Sequence, residues 1–285
     1  MRQGRDVRLA PYSSFNIGGP AREVYWPESR EELTELLDSL RTAGSRSLVF
    51  GCASNVVFPD VYLDAAVIFT TELRDIAVYS DVIAADCGVT LSRVAITAQH
   101  SALEGAEFLY GIPGSVGGAV VMNAGAYSGE IADIFTGATV YRAGALVELK
   151  RDDLCFGYRK SALQDSDDVV VSARFLLREG ETDAIRAKMD DYMERRKSKQ
   201  PLSYPSAGSV FRRPADHYAG ALIERAGLKG CSVGGAMVSD LHAGFIVNTG
   251  VATQDDVRRL VDRIKNRVLA DSGIELECEI KFVDA

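Results

Sequence analysis

Five stretches of the chain carry residues whose types and spacing could do chemistry. In Tyr158-Arg159-Lys160-Ser161 a guanidinium could clamp a carboxylate bidentately, although such a cluster taken alone is more often a surface loop. Residues 205–214, PSAGSVFRRP, combine two serines with an arginine pair. This is not a nucleophile elbow, because Ala207 stands two residues before Ser209 and Phe211 two after. No histidine lies close to it in sequence, so an activated serine nucleophile is unsupported and a serine used as proton donor stays open. Glu275, Glu277 and Glu279 alternate, and paired carboxylates can hydrolyse glycosides, but such a row is more often the solvated face of an edge strand. Gly51-Cys52-Ala53-Ser54-Asn55 offers small residues whose amides could cradle phosphate. By itself it reads first as a plain turn, and it has neither P-loop nor dinucleotide-fingerprint spacing. Residues 111–129, GIPGSVGGAVVMNAGAYSG, hold six glycines among Val, Met and Ala. That is too apolar for a flexible linker. It suggests backbone packed against something flat or phosphorylated, with a tight buried turn structure as the alternative.

Alternating strands and helices must position these stretches. Ser29 with Glu32 forms a capping box ahead of Leu33, Leu36, Leu37 and Leu40 at helical spacing, and Gly44 ends that helix. Strands are predicted at 23–27, 47–50, 65–69, 75–79, 82–86, 137–142, 168–177, 232–238 and 244–248. Helices are predicted after Thr90, over 182–197, and near 217–226. A last helix is capped by Thr253 with Asp256, and Val257, Leu260, Val261, Ile264 and Val268 make its apolar stripe. Ile185, Met189 and Tyr192 share one face of the 182–197 helix and read as core. Pro201 and Pro205 flank an extended stretch that reads as a domain boundary. Leu276, Cys278, Ile280 and Phe282 alternate with Glu275, Glu277, Glu279 and Lys281, which predicts a final strand.

Composition narrows the function classes. With 285 residues, 47% hydrophobic and 25% charged, the chain is globular, either one large domain or two to three smaller ones. A net charge of −8 argues against a duplex-binding surface. The one dense basic run, Arg195-Arg196-Lys197-Ser198-Lys199, reads as a solvated helix end where the dipole favours cations, with a nearby small anion as the alternative. Five widely spaced cysteines (52, 87, 155, 231, 278) and three scattered histidines form neither a disulfide framework nor a metal pattern. No metal is expected. The N-terminus has no apolar leader, and no run approaches the ~18 apolar residues of a membrane span. The expectation is a reduced, cytoplasmic protein with no membrane insertion and no nucleic-acid partner.

Taken together and in order, these motifs resemble the MurB reductase family. Residues 14–21, SFNIGGPA, are similar to its T-x-F-x-x-G-G-x-A, and Gly51–Asn55 to its G-x-G-S-N. The run 111–130 is close to its most specific stretch, Tyr158–Ser161 matches Y-R-x-S, and residues 205–214 match P-S-A-G-S-x-F-[KR]-x-P. Residues 219–248 follow its C-terminal domain, and Leu276–Ile280 corresponds to L-E-x-E-V. The likeness runs from about residue 12 to 283. Ser14 stands in place of Thr, Cys52-Ala53 in place of a Gly-rich pair, and Cys278 where Pro is common; none removes a motif acid, base or arginine. The spacing from Tyr158 to Pro205 leaves no room for a large insertion, which points to the shorter subtype.

The resemblance implies an α+β fold: a two-lobed FAD-binding region of vanillyl-alcohol-oxidase type over residues 1–196, with lobes about 1–60 and 61–196, and a C-terminal substrate-binding domain over 197–285. It implies non-covalent FAD held around Gly51, Cys52, Ala53, Ser54, Asn55, Gly111, Gly114, Ser115, Gly117, Gly118, Asn123 and Ala124, with amides of 51–55 and 111–118 near the cofactor. NADPH would be the co-substrate and UDP-N-acetylglucosamine enolpyruvate the substrate. Arg159, Ser209 and Glu279 would be catalytic, Arg159 stabilising the charge that develops on the substrate with Glu279 paired nearby, and Ser209 the general acid. Tyr158, Lys229 and Arg212 would bind substrate. The alternatives are another flavin oxidase or dehydrogenase on the same scaffold, a non-catalytic nucleotide-sugar binder, or a carboxylate-pair hydrolase.

Overall fold

The computed structural model describes all 285 residues, Met1–Ala285. The chain forms two compact units: residues 1–4, 23–52 and 65–196 make the first, and residues 5–22, 53–64 and 197–285 the second.

In the first unit, the helix Arg30–Thr42 starts where predicted, with the Ser29 hydroxyl accepting from the Glu32 amide at 3.2 Å. The reciprocal half of the box differs: the Glu32 carboxylate reaches the Glu28 amide at 2.8 Å, one residue earlier than predicted. Leu33, Leu36, Leu37 and Leu40 are buried against the strands Leu63–Phe69 and Ser47–Phe50. Each leucine contributes about 1.5–3 kcal/mol by leaving water. Those two strands run parallel, with Ser47 opposite Ala66 and Phe50 opposite Phe69. At the helix start Arg30 meets the buried Asp86 carboxylate at 2.6 Å.

The larger sheet of this unit is antiparallel, in the order 145–150, 135–142, 169–176, 82–86, 76–79. Its inner residues Ile83, Ala85, Ala138, Val140, Ala173 and Phe175 pack on the helices Leu91–His100 and Val116–Met122. The latter helix lies inside the glycine-rich run, where a helix was not predicted. Gly117 costs the helix about 0.8–1 kcal/mol in propensity. Its compensation is contact: a Cβ at 117 would come within 3.0 Å of Cys87 Cβ, so any side chain there would push the helix a few tenths of an ångström away from the end of strand Val82–Asp86. The long helix Thr182–Lys199 buries Ile185 and Met189, as its stripe predicted.

The second unit is built on an antiparallel sheet in the order 206–209, 245–248, 236–238, 232–233. The predicted strand 232–238 is a hairpin, broken at Gly234-Gly235. The helix Gln254–Ser272 carries the predicted reciprocal cap, Thr253 hydroxyl with the Asp256 amide and Asp256 carboxylate with the Thr253 amide, both at 3.1 Å. Val257, Leu260, Val261, Ile264 and Val268 are buried on the helix Ala219–Arg225 and the sheet. The last segment is not one strand: Cys278 bridges Phe211, and Lys281–Phe282 pairs in parallel with Val56–Val57. Leu276 and Ile280 are nevertheless buried and Glu275 and Glu277 exposed, so the alternation itself is real. No helix of the chain is long and apolar enough to cross a membrane.

Candidate active site

In the first unit the glycine-rich run and the Tyr158–Ser161 motif meet. Gly157 and Lys160 exchange backbone hydrogen bonds, each 3.0 Å, closing a tight turn with Tyr158 and Arg159 at its tip. Arg159 sits at φ +54, a left-handed conformation that disfavours any side chain. Surrounding contacts hold it there. Ser161, fully buried, donates to the Val121 carbonyl at 2.7 Å. Gln164 donates to the Arg159 carbonyl at 2.8 Å and to that of Val121 at 3.2 Å. Asn123, with no exposed surface, donates to the Gly157 carbonyl and accepts from the Ala132 amide, both at 2.9 Å. The Arg159 guanidinium donates to the carbonyls of Asn123 at 3.5 Å and Gly125 at 2.6 Å. Tyr158, half exposed, lies with its ring 5.1 Å from that guanidinium.

Several residues expected around FAD are thus committed to the protein itself. The Asn123 side chain donates to Gly157 and accepts from Ala132. The amides of Gly111, Gly114, Val116 and Gly117 donate to Ser92 Oγ, Ile112 O, Val89 O and Cys87 O. The Ala124 amide caps the helix on Ala119 O. What the run leaves open is Ser115: its hydroxyl is buried and unsatisfied by any strong donor or acceptor, with only the Cys52 thiol, a weak partner, beside it. Ser115 faces Gly51, where an added Cβ would come within 1.8 Å of Ser115 Oγ, and a Cβ added at Gly118 would stand 3.9 Å from the same oxygen. A buried orphan hydroxyl costs stability unless a ligand satisfies it. The Gly51–Ser115 cradle therefore fits a polar cofactor group such as those of FAD. Cys52, beside Ser115, has its thiol pushed up by burial, so it stays protonated there. Cys87 is pushed up to about 12 by full burial.

In the second unit Ala53, at φ +44, accepts from the Ser14 amide at 3.4 Å, and the Ser14 hydroxyl donates to the Ser206 carbonyl at 2.7 Å. Asn55 donates from its side chain to the Glu279 carbonyl at 3.3 Å and accepts from the Lys281 amide at 2.9 Å. The strand 206–209 carries a bulge: Ser206 faces Val247 and Ser209 faces Phe245, with Gly208 at φ +78 absorbing the extra residue. Bulges of this kind re-aim the next side chain, and Ser209 is exposed. The Glu279 amide donates to the Val210 carbonyl at 2.8 Å, so Ser209 and Glu279 stand on adjacent extended segments. Arg212 pairs with Glu277 at 2.6 Å and Lys229 with Glu224 at 2.6 Å. Lys229 lies in the turn after helix Ala219–Arg225, between Gly227 and Gly230, both at φ +71.

Sequence reasoning missed Gln164, whose polar side chain gives no pattern signal, and Arg196. Arg195 is exposed on the helix, in line with a solvated end, and pairs there with Asp191 at 2.8 Å. Arg196 instead has its pKa lowered by burial and packs its Cδ 3.5 Å from where a Gly111 Cβ would be.

Comparison with known proteins decides the lineage of this arrangement. Residues 21–149 match the family described as FAD binding domain, and residues 200–283 match the UDP-N-acetylenolpyruvoylglucosamine reductase C-terminal domain. The UDP-N-acetylenolpyruvoylglucosamine reductase of Caldicellulosiruptor bescii is 44% identical over 98% of this chain and 90% of its own length. That of Pediococcus pentosaceus is 42% identical over 96% of this chain and 92% of its own. The chain belongs to the UDP-N-acetylenolpyruvoylglucosamine reductase family. The crystal structure of the family's Thermus caldophilus member (MurB) superposes with a TM-score of 0.85 at 35% identity, covering 100% of both chains. The α+β expectation, an FAD-binding region followed by a reductase C-terminal domain, is borne out by these matches.

Proposed function

We propose that this chain is the NADPH-dependent flavoenzyme that reduces the enolpyruvyl ether of UDP-N-acetylglucosamine enolpyruvate to UDP-N-acetylmuramate, a step of peptidoglycan precursor synthesis. The full-length family relationship carries the reading. When bound by the residues assigned below, FAD would supply hydride, drawn from NADPH, to C3 of the enolpyruvyl group. Hydride at C3 leaves negative charge at C2, conjugated with the carboxylate. Arg159, already oriented by the carbonyls of Asn123 and Gly125, is the residue we assign to that charge. A preorganised cation aimed at a developing anion is commonly the largest single catalytic contribution. Ser209, exposed after its bulge, delivers the proton to C2, and Glu279, on the neighbouring segment, is the third catalytic residue we assign. Hydride and proton together add one H₂ across the double bond.

We assign Gly51, Cys52, Ala53, Ser54, Asn55, Gly111, Gly114, Ser115, Gly117, Gly118, Asn123 and Ala124 to the flavin region. Within it Ser115 is the hydrogen-bonding side chain, and Asn123 holds the Arg159 turn. Tyr158, Lys229 and Arg212 are assigned to substrate; the last two would exchange their present carboxylate partners for the sugar nucleotide's phosphates. We take residues 1–196 as the FAD-binding region and 197–285 as the substrate-binding domain, with residues 5–22 and 53–64 of the former belonging to the same compact unit as the latter. The reaction is placed in the cytoplasm, a reading supported by five free thiols. The test is steady-state NADPH oxidation by the purified protein. Consumption that requires UDP-N-acetylglucosamine enolpyruvate is expected; consumption only with an alcohol or with oxygen as partner would overturn the assignment.

A further inference from the structure

The hairpin Gly125–Glu130, at the end of the glycine-rich run, is built against its own local preferences. Gly125–Ala126 pairs with Gly129–Glu130, and the two residues of the turn, Tyr127 and Ser128, sit at φ +52 and +69. Two consecutive left-handed residues are the signature of a turn that favours glycine or asparagine. Tyrosine and serine persist there only if other contacts over-determine the conformation. Those contacts come from the long helix Thr182–Lys199. The Tyr127 ring stacks on Tyr192 with centroids 4.2 Å apart and planes 9° from parallel. The Tyr127 hydroxyl donates to the Tyr192 carbonyl at 2.7 Å. On its other side the hairpin has no slack: a Cβ at Gly129 would come within 2.7 Å of the Phe108 ring.

The first residue of this hairpin is also the acceptor that orients Arg159. Its guanidinium donates to Gly125 O at 2.6 Å, shorter than its 3.5 Å bond to Asn123 O. We infer that Tyr192 is a positioning residue for the reduction: by stacking on Tyr127 it fixes the hairpin, and through Gly125 O it sets the direction of the Arg159 guanidinium. The inference rests on the reading of Arg159 as the residue that stabilises substrate charge. It also gives the Ile185/Met189/Tyr192 stripe a split role. Ile185 and Met189 are core, whereas Tyr192 is half-buried and spends its ring on a turn 65 positions away in sequence.

The two half-reactions test this in the FAD-loaded protein. Tyr192→Ala is expected to slow reoxidation of the reduced flavin by UDP-N-acetylglucosamine enolpyruvate by about tenfold or more, since misplacing a catalytic group by about 1 Å can cost ~100-fold. Flavin reduction by NADPH, which does not use Arg159, should keep its wild-type rate. Tyr192→Phe should behave as wild type, because the hydrogen bond from Tyr127 goes to the backbone carbonyl. Tyr192→Leu, which keeps apolar bulk without the flat stack, serves if the alanine variant folds poorly, and should lose reoxidation likewise. In Arg159→Lys/Tyr192→Ala the two losses should not multiply, because both act through one guanidinium. Wild-type reoxidation in the alanine and leucine variants overturns the inference. So do losses that multiply with Arg159→Lys, or an equal slowing of both half-reactions. If Arg159→Lys alone reoxidises at the wild-type rate, the underlying assignment of Arg159 fails, and that result is separate from a failure at Tyr192.

Discussion

Gly51→Ala probes the cofactor cradle directly. The added Cβ would stand 1.8 Å from Ser115 Oγ, against the 3.0 Å below which real Cβ contacts essentially never fall, a shortfall of 1.2 Å. Ser115 cannot retreat as a unit. The next two amides are fixed to Val89 O at 2.9 Å and Cys87 O at 2.8 Å, and only 2% of the residue is exposed. The relief that remains is rotation of the Ser115 hydroxyl away from Gly51, which takes it out of the cradle. If that hydroxyl bonds FAD, its loss leaves a buried polar partner unpaired at a cost of about 1–3 kcal/mol. That corresponds to a Kd raised roughly 5- to 150-fold. Titration of flavin-stripped protein with FAD, followed by fluorescence quenching, measures it. Ser115→Ala should show a similar loss, and Gly51→Ala/Ser115→Ala should add little to Ser115→Ala alone, since the 1.8 Å clash with the oxygen is gone and a 3.0 Å contact with the residue-115 Cβ remains. An unchanged Kd in Gly51→Ala and Ser115→Ala would remove this cradle from the flavin site.

Four further outcomes are expected. Ser209→Ala should leave flavin reduction by NADPH intact and slow reoxidation by substrate by about 10²–10⁴, the usual range for a lost general acid; equal wild-type rates in both half-reactions would disprove the proton-donor role. Arg159→Lys should slow reoxidation about 10²–10³-fold in stopped flow, because a point charge cannot reproduce a planar fork held by two carbonyls; a wild-type rate removes Arg159 from the site. Asn123→Ala loses two hydrogen bonds of 2.9 Å at a fully buried position with φ +42, and should destabilise the fold by about 2–5 kcal/mol in chemical denaturation; a change under about 1 kcal/mol would mean those bonds are replaced by water. His242 has its pKa lowered by burial, and its Nδ1 accepts the Gly244 amide at 3.0 Å, which a protonated ring could not do. The unfolded chain then binds that proton more readily, so stability is full above the ordinary value of 6.5 and is lost as pH falls toward the lowered folded value; an NMR titration placing His242 at or above 6.5 would contradict this.

Much of the fold was legible because its helices obey local rules. Ser29, Thr253 and Asp256 cap where hydroxyls and carboxylates spaced by three residues must, and leucine or valine stripes fix the buried faces. The strands Arg2–Arg8 and Ala145–Lys150 were not legible. Arg2–Arg8 is polar on both faces, and pairing to neighbours, a non-local effect, makes it a strand; Ala145–Lys150 does alternate, with Ala145, Val147 and Leu149 on one face, but it is too short and too exposed to stand out. The helix Val116–Met122 ran against propensity, because contact at Gly117 outweighs the cost of glycine. The final segment shows the reverse error: its alternation was read correctly, but alternation does not say which partners bond it, and it serves two different ones. At the site, motif order located the turn of Arg159 and the segment of Ser209. It did not separate residues that face a ligand from those that hold others in place. Asn123 and Gln164 hydrogen-bond backbone carbonyls far away in sequence, and Tyr192 stacks on the equally remote ring of Tyr127; no spacing rule encodes such partners.

The central claim is tested most directly in a single turnover. The FAD-loaded protein is reduced anaerobically with one equivalent of NADPH and then mixed with UDP-N-acetylglucosamine enolpyruvate. Loss of the flavin's yellow colour, followed by its rapid return with one UDP-N-acetylmuramate formed per flavin, is the predicted result. Reduced flavin that persists with this substrate, and reoxidises only with oxygen or another acceptor, would contradict the account and leave the chain as a flavoprotein of different chemistry.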